Sequence, residues 1–460
     1  MYIQQLYTNC LAEAAYYIES EGEAAIIDPL RDTQPYLDLA ESRNAKIRYV
    51  FETHFHADFV SGHLDIQRKT GAEIVYGPGA KAAYPIYEAQ DMEVFQLGAI
   101  FIQLLHTPGH TLESCCLLLK DENGKNQAVF TGDTLFAGDV GRPDLAVKSD
   151  LSKEDLAGML YNSIHSKLLV LEDDLIVYPG HGAGSACGKN IGKETQTTIG
   201  AQRKTNPTLN CGGKEEFVNL VANGLDEPPK YFFMDAAINK NGYQDINEVL
   251  SKNAIALRID QLLQEQKKGT VVLDTRNPDE FEKGFVPGSI NIGLNGQYAV
   301  WVGTLIDFGT PLILIADEGK EQEAILRLAR VGFERVFGYL DGGFETWLKA
   351  GKPVETIASI DAANLNEELG IETSKVIDVR NPSEWNTGIV DGAELLPLSK
   401  LESKINNLDP EQTYLIHCAG GYRSMMAASI LKKHGFNRIK NIRGGISKIR
   451  DQGFALVIPQ

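Results

Sequence analysis

Along the first half of the chain the apolar positions fall in short runs that each stop at a polar cluster: AAIIDP (24–29), IRYVFETHFHAD (47–58), AIFIQLLHTPGH (99–110), QAVFTGD (127–133) and DLIVYPGH (174–181). Runs of about four to eight residues rich in Val, Ile and Phe read as strands buried on both faces. Loops that follow strand ends are where α/β proteins place their chemistry. Five such ends carrying His or Asp predict one shared site, because strands ending on the same side of a sheet bring their loops together.

A second pattern occupies the rest of the chain. VVLDTRNPDEF (271–281) and KVIDVRNPSEW (375–385) are near copies whose aspartates, Asp274 and Asp378, lie 104 residues apart. The offset recurs downstream, with VGFERV matching HGFNRI at 103 residues and LDGGFETW matching IRGGISKI at 102. Each copy opens on a β-branched run, continues to a second apolar run (PLILIA, TYLIHC) and then a helix-like stretch, the alternation of a parallel α/β sheet. The turn-rich segment NGLDEPPKYFF (223–233) marks a boundary before them. Three domains follow, at 1–240, 245–355 and 360–460, as the length of 460 residues also suggests for domains of roughly 100–200 residues.

Composition narrows the function classes. Hydrophobic residues at 43% and charged residues at 23% describe a globular protein, and no apolar run reaches the roughly 18 residues that cross a bilayer. The start of the chain lacks the basic and apolar regions of a secretory signal. Lys and Arg number 44 against 62 Asp and Glu, and the net charge of −18 repels phosphate backbones, so nucleic acid and membrane are excluded as partners. Six cysteines are too few for a disulfide framework, which fits a reducing cytoplasm.

Seven of the nine histidines lie in the first 181 residues, and five of them sit in THFHADFVSGH (53–63), TPGHT (107–111) and YPGH (178–181), with Asp133 in TGDTLF. A joint accident of spacing is improbable, and a metal centre is expected. This HxHxD, TPGHT, GDTLF and PGH series resembles the metallo-β-lactamase fold, an αββα sandwich with room for two metals. The second metal there needs a His directly after the HxHxD aspartate, and that position is Phe59. Only Asp58 and His181 remain for it, and a single-metal site is expected.

Within that family the pattern resembles the persulfide dioxygenases. The resemblance implies one Fe(II) per chain held by His54, His110 and Asp133, with His56, Asp58 and His181 orienting ligands or handling protons. Two histidines and a carboxylate with open positions suit non-haem Fe(II) oxygenases, although zinc accepts the same donors. Arg142, in FAGDVGRPDL, is expected to line the substrate path as a bidentate donor to an anionic carrier, or else to pair with Asp144.

The closing copy contains YLIHCAGGYRSMMAA, an apolar strand followed by Cys418, a Gly-rich loop, and Arg423 and Ser424 opening a helix. Backbone N–H groups and the positive helix end stabilise a thiolate or persulfide there. CxGGxRS with IDVRNPSEW and RGGI resembles the rhodanese family, and implies Cys418 as the sulfur-carrying nucleophile with Gly420, Gly421 and Arg423 shaping the anion loop. The earlier copy has no cysteine, and its loop IADEGKEQEA is read with Asp317, Glu318, Glu321 and Glu323 in place of the nucleophile and its cradle. It is expected to be a doubly wound α/β domain without sulfurtransferase activity that shapes its neighbour through GLNGQYAVWVG.

Cys211, in NPTLNCGGKEEF, is a candidate second functional cysteine by resemblance to multidomain fusions, whereas Cys10, Cys115, Cys116 and Cys187 read as packed thiols. The whole chain resembles fusions of a persulfide dioxygenase with a silent and an active rhodanese domain, found among bacterial sulfide-detoxification enzymes. Expected partners are a thiol persulfide of the glutathione, coenzyme A or bacillithiol type, O2, sulfite and thiosulfate, in a homo-oligomer (dimer or tetramer). Two rivals remain: a thioester hydrolase of the glyoxalase II kind, which uses two metals, and a sulfur carrier in which only Cys418 is active.

Overall fold

A computed structural model of the chain describes residues 1–147, 151–370 and 374–459. It divides into two compact units, residues 1–249 with 329–332, and residues 250–328 with 333–460. Among the described residues no helix is long and apolar enough to cross a membrane.

The first unit holds two six-stranded sheets. One runs, in spatial order, Tyr2–Thr8, Glu13–Ser20, Glu23–Ile27, Lys46–Glu52, Glu73–Tyr76 and Tyr87–Glu88; the other runs Thr197–Thr198, Ile176–Pro179, Asn126–Gly132, Cys115–Lys120, Ile100–His106 and Val94–Leu97. The sheets face each other across a core containing Tyr16, Phe51, Phe95, Leu104, Cys115, Leu117 and Phe130. On the outer face of the first, Tyr36 and Ala40 of the helix Gln34–Ser42 pack on Tyr17 and Ile26. On the outer face of the second, Leu160, Phe217 and Val221 from two helices cover Cys116, Leu118 and Val129. This is the αββα sandwich. The apolar runs lack a polar face because each strand is covered on both sides, and adjacent Cys115 and Cys116 are both buried because their strand serves both layers.

The five strands expected from the sequence all form, and each delivers its polar cluster directly after its last residue. Glu23–Ile27 and Lys46–Glu52 are parallel, as are Asn126–Gly132 and Ile176–Pro179. Each parallel pair therefore brings two of these clusters to one end of its sheet.

The second unit contains two five-stranded sheets. The first orders Ala256–Leu257, Val336–Leu340, Leu312–Ile315, Val271–Asp274 and Ile290–Asn291; the second orders Ala358–Asp361, Ile439–Arg443, Thr413–His417, Ser374–Asp378 and Glu394–Leu395. All pairings in both are parallel. The Asp-x-Arg repeated in sequence makes one buried device twice. Arg276 chelates Asp274 and donates to the Gly284 carbonyl at 2.9 Å, and Arg380 chelates Asp378 and donates to the Gly388 carbonyl at 2.8 Å. This role explains why the motif persists in a copy without a cysteine.

All three tryptophans (Trp301, Trp347, Trp385) lie in the second unit, so their fluorescence reports its unfolding alone. Arg380→Met strands the Asp378 carboxylate in the interior and is expected to cost that unit about 3–5 kcal/mol, a fall of roughly 1–2 M in urea midpoint. An unchanged midpoint would show that the pair contributes nothing net.

Candidate functional site

The metal group forms where strand ends meet. His54 follows Lys46–Glu52, His110 follows Ile100–His106, and Asp133 follows Asn126–Gly132. One donor atom from each lies within 4.8 Å of the other two, and all three residues are buried. The His110 Nε2 stands 3.5 Å and the His54 Nε2 4.0 Å from Asp133 Oδ2. Neither oxygen of Asp133 accepts a hydrogen bond among the described residues. A buried carboxylate so placed is costly unless a cation meets it, so the residues present fit a divalent metal.

The chain also fixes which imidazole nitrogen faces Asp133. The His110 Nδ1 lies 2.9 Å from the carbonyl oxygen of Arg142, an acceptor, so Nδ1 carries the proton and Nε2 is left with a free lone pair. Thr53 Oγ1 donates to Asp28 at 2.8 Å and is therefore free to accept from His54 Nδ1 at 3.0 Å. Burial, and then the neighbouring imidazoles of His56, His110 and His181, hold His54 well below the usual histidine range, so it is neutral as a ligand must be. Two glycines permit the approach. A Cβ on Gly132, whose φ is +46°, would fall 2.4 Å from Thr53 Oγ1, and one on Gly180 would fall 2.8 Å from Asp133 Oδ1.

His56 packs beside this group, its ring centroid 4.2 Å from that of His54 and its Nδ1 buried without a hydrogen-bond partner among the described residues. Its Nε2 lies 3.0 Å from Asp28 Oδ1 and 3.4 Å from Glu52 Oε2. Burial opposes a charge on it, but the two carboxylates outweigh burial and lift its pKa well above the usual range. Glu52 also faces His63 Nδ1 at 3.3 Å, and His63 Nε2 contacts the Tyr84 hydroxyl at 2.7 Å. Glu52 is thus a part of the site given no place in the sequence reading, whereas Asp28 stands at one of the five strand ends that predicted it. Glu52 stands beside the end of an apolar run, the signal that could have singled it out.

Asp58 and His181 lie on the other side of Asp133, with His181 Nε2 3.4 Å from Asp58 Oδ2 and 3.5 Å from Asp133 Oδ1. Phe59 is fully buried and stacks on His56 with ring centroids 4.3 Å apart. Cys187 is buried as expected, and its thiol belongs with Asp58 and His181 in a three-donor group. A cavity of about 160 Å³ opens onto His110, lined by Phe55, Leu112, Phe232, Phe233 and Lys240 among others.

The substrate-binding reading of Arg142 needs correction. Its guanidinium is spent on Asp144 at 2.7 and 2.8 Å and on the carbonyls of Ala186 and Asp226, and it is almost wholly buried. It holds the loop whose carbonyl orients His110. Cys211 is half-buried at the rim of the helix-covered layer and outside the metal group.

In the second unit Cys418 follows the strand Thr413–His417 and precedes the helix Tyr422–Lys433. Its sulfur accepts from the Gly421 N–H at 3.1 Å and lies 3.6 Å from the Ser424 hydroxyl. Gly420 lies in the same loop with open space where a side chain would stand. Arg423 does not point freely into the loop, because both terminal guanidinium nitrogens grip Glu384. Burial opposes the Glu384 charge, yet Arg423 outweighs it and lowers that pKa. Tyr422 reaches the cysteine-free copy, donating to the Gly293 carbonyl at 2.6 Å, and Gly296 is small where a Cβ would fall 2.6 Å from the Tyr422 ring.

Strand register corrects the silent loop. Asp378 pairs with His417 and Asp274 with Ile315, so the counterpart of Cys418 is Ala316, not Asp317. The same step places Glu321 where the later copy has Arg423, reversing the charge. Asp317 and Glu318 are exposed.

The fold and donor set define a metallo-β-lactamase-type metal centre followed by sulfurtransferase-type domains. The profile of the Metallo-beta-lactamase superfamily matches residues 8–181, and that of the Rhodanese-like domain matches 258–350 and 361–452. The chain is 34% identical over 228 residues to the probable hydroxyacylglutathione hydrolase glo2 of Schizosaccharomyces pombe, covering 44% of this chain and 83% of that one. It is 30% identical over 229 residues to the mitochondrial persulfide dioxygenase ETHE1 of Homo sapiens, covering 48% and 80%. A crystal structure of a metallo-beta-lactamase from Staphylococcus aureus subsp. aureus COL superposes with a TM-score of 0.66 at 29% identity, covering 74% of this chain and 98% of that one. The chain belongs to the metallo-β-lactamase superfamily, carrying tandem rhodanese-like domains after its first unit.

In a Cys418→Ser background with thiosulfate as donor, Ala316→Cys alone is expected to give no sulfur transfer, since the acidic loop raises a thiol's pKa and repels the donor. Replacing the whole loop 316–321 by CAGGYR is expected to give measurable transfer. Brisk transfer from the single change would mean that the acidic groups do not matter.

Proposed function

We propose that the protein is a persulfide dioxygenase coupled to a sulfurtransferase, acting on a low-molecular-weight thiol persulfide of the glutathione, coenzyme A or bacillithiol type. The observation that carries this reading is the orientation of His56. With the His56 Nε2 facing Asp28 and Glu52, the first metal place is the group His54, His110 and Asp133, two histidines and one carboxylate, the donor set of Fe(II) oxygenases. Fe(II) bound there would supply a centre at which O2 and a sulfane sulfur react.

The overall change is R–S–SH + O2 + H2O → R–SH + SO3²⁻ + 2 H⁺. The S–S bond breaks, the outer sulfur is oxidised to sulfite, O2 is reduced, and the carrier leaves as its thiol. His54, His110 and Asp133 hold the metal, and Arg142 and Thr53 fix the two imidazoles. The largely apolar cavity beside His110 receives the substrate and limits water. In the second unit the Cys418 thiolate takes the outer sulfur of another persulfide, releasing its thiol, and passes that sulfur to sulfite as thiosulfate. The Gly421 N–H and the helix Tyr422–Lys433 favour the sulfur anion in both steps. Joining the domains raises the effective concentration of sulfite at its consumer.

The likeness to a hydroxyacylglutathione hydrolase favours the rival thioesterase reading, and one assay separates them. Adding glutathione persulfide to iron-loaded protein is expected to consume O2, and Asp133→Ala is expected to abolish both the uptake and the bound iron. Cys418→Ser is expected to keep the uptake and shift the product from thiosulfate to sulfite. Thioester hydrolysis without persulfide-dependent O2 uptake would overturn the proposal.

A further inference from the structure

The motif that opens each copy of the repeat carries the same glutamate, Glu280 in RNPDEF and Glu384 in RNPSEW. The two side chains are used differently. Glu280 is exposed and pairs with Lys283, three residues on, at 2.7 Å. Glu384 instead takes the two terminal nitrogens of Arg423 at 2.5 and 2.7 Å and accepts from the Asn381 N–H at 3.0 Å. A short helix follows the motif in both copies, over Pro278–Phe281 and Pro382–Trp385, so the fold does not need the pair. The pair is made in the copy whose loop carries Cys418, and the other copy has two acids, Glu280 and Glu321, in its place.

Arg423 stands in the first turn of the helix Tyr422–Lys433, between the two residues that reach the sulfur, Gly421 and Ser424. A guanidinium left alone there would add a full positive charge to the loop and favour anions in proportion to their charge. Glu384 cancels it. Burial opposes both charges, and each charge outweighs that cost for the other. What remains for a sulfur anion at Cys418 is the Gly421 N–H, the Ser424 hydroxyl and the helix end, dipoles that suit a single charge. The transfer to sulfite hands over a dianion: Cys418–S–S⁻ + SO3²⁻ → Cys418–S⁻ + S2O3²⁻. The S–S bond to Cys418 breaks and one to the sulfite sulfur forms.

We propose that Glu384 is a specificity-determining residue of the Cys418 site: by neutralising Arg423 it leaves the loop selective for the singly charged sulfur of a persulfide and lets the doubly charged thiosulfate leave. The inference rests on the sulfurtransferase reading of Cys418 and does not involve the metal. It accounts for an arginine at the anion loop that is not offered to the anion. A doubly charged ligand feels a freed Arg423 twice as strongly as a singly charged one. Removing the Glu384 charge therefore tightens thiosulfate and sulfite by a factor of about ten where a persulfide gains a factor of about three.

The test is sulfur transfer from glutathione persulfide to supplied sulfite by the full-length chain, without O2 so that no persulfide is oxidised, and with uncatalysed coupling subtracted. In Glu384→Gln, whose amide oxygen still accepts the Asn381 N–H, the inhibition constant of thiosulfate and the KM of sulfite are expected to fall about ten-fold, and the KM of the persulfide about three-fold or less. Loss of structure would instead weaken all three. If circular dichroism shows that Glu384→Gln does not fold, the uncharged pair made by Glu384→Gln with Arg423→Gln decides. It is expected to hold thiosulfate within about two-fold of the unaltered chain, because a cancelled charge and an absent one are alike. Thiosulfate inhibition unchanged or weakened in Glu384→Gln, or weakened about ten-fold in the double variant, would overturn the proposal while leaving Cys418 a sulfurtransferase. An unaltered chain that transfers no sulfur would overturn the reading of Cys418 and the proposal with it.

Discussion

A carboxylate taken out of water with neither oxygen hydrogen-bonded costs several kcal/mol unless a cation sits against it. Asp133 is in that position, and the first unit is arranged around it. It ends one strand, His54 and His110 approach one of its oxygens and His181 the other, and glycines at 132 and 180 keep the space open. The imidazoles are in turn held by groups with no contact to a metal: Thr53, the Arg142 carbonyl and the Ala12 carbonyl.

A second buried charge system lies beside the first. Asp28 and Glu52 draw in His56, so a histidine that sequence spacing offers equally to the metal becomes the partner of two acids. Phe59 stacks on the same ring from its other face.

The fold was largely legible in the sequence, because strands covered on both faces must be apolar throughout and because the Asp-x-Arg repeat marks two copies of one structure. The candidate metal-binding group was legible through the places of its residues after strand ends. What escaped was set by pairings between segments far apart. The pairing of Arg142 with Asp144 was one of two readings open in the sequence, and the carbonyls of Ala186 and Asp226, 44 and 84 residues away, complete its occupation. Arg423 is held by Glu384, 39 residues away. The counterpart of Cys418 was misplaced by one residue, because loop composition drew the eye to Asp317 while parallel strand register selects Ala316. Cys187 was read as packed, and it is, but burial says nothing of which group a thiol faces.

The central claim is that the metal at Asp133 takes two histidines and leaves His56 to the acids. X-ray absorption at the iron edge of iron-loaded protein counts imidazoles directly through their outer-shell scattering. The account predicts two imidazoles at iron, unchanged in His56→Gln. Three imidazoles, with one lost in His56→Gln, would contradict it.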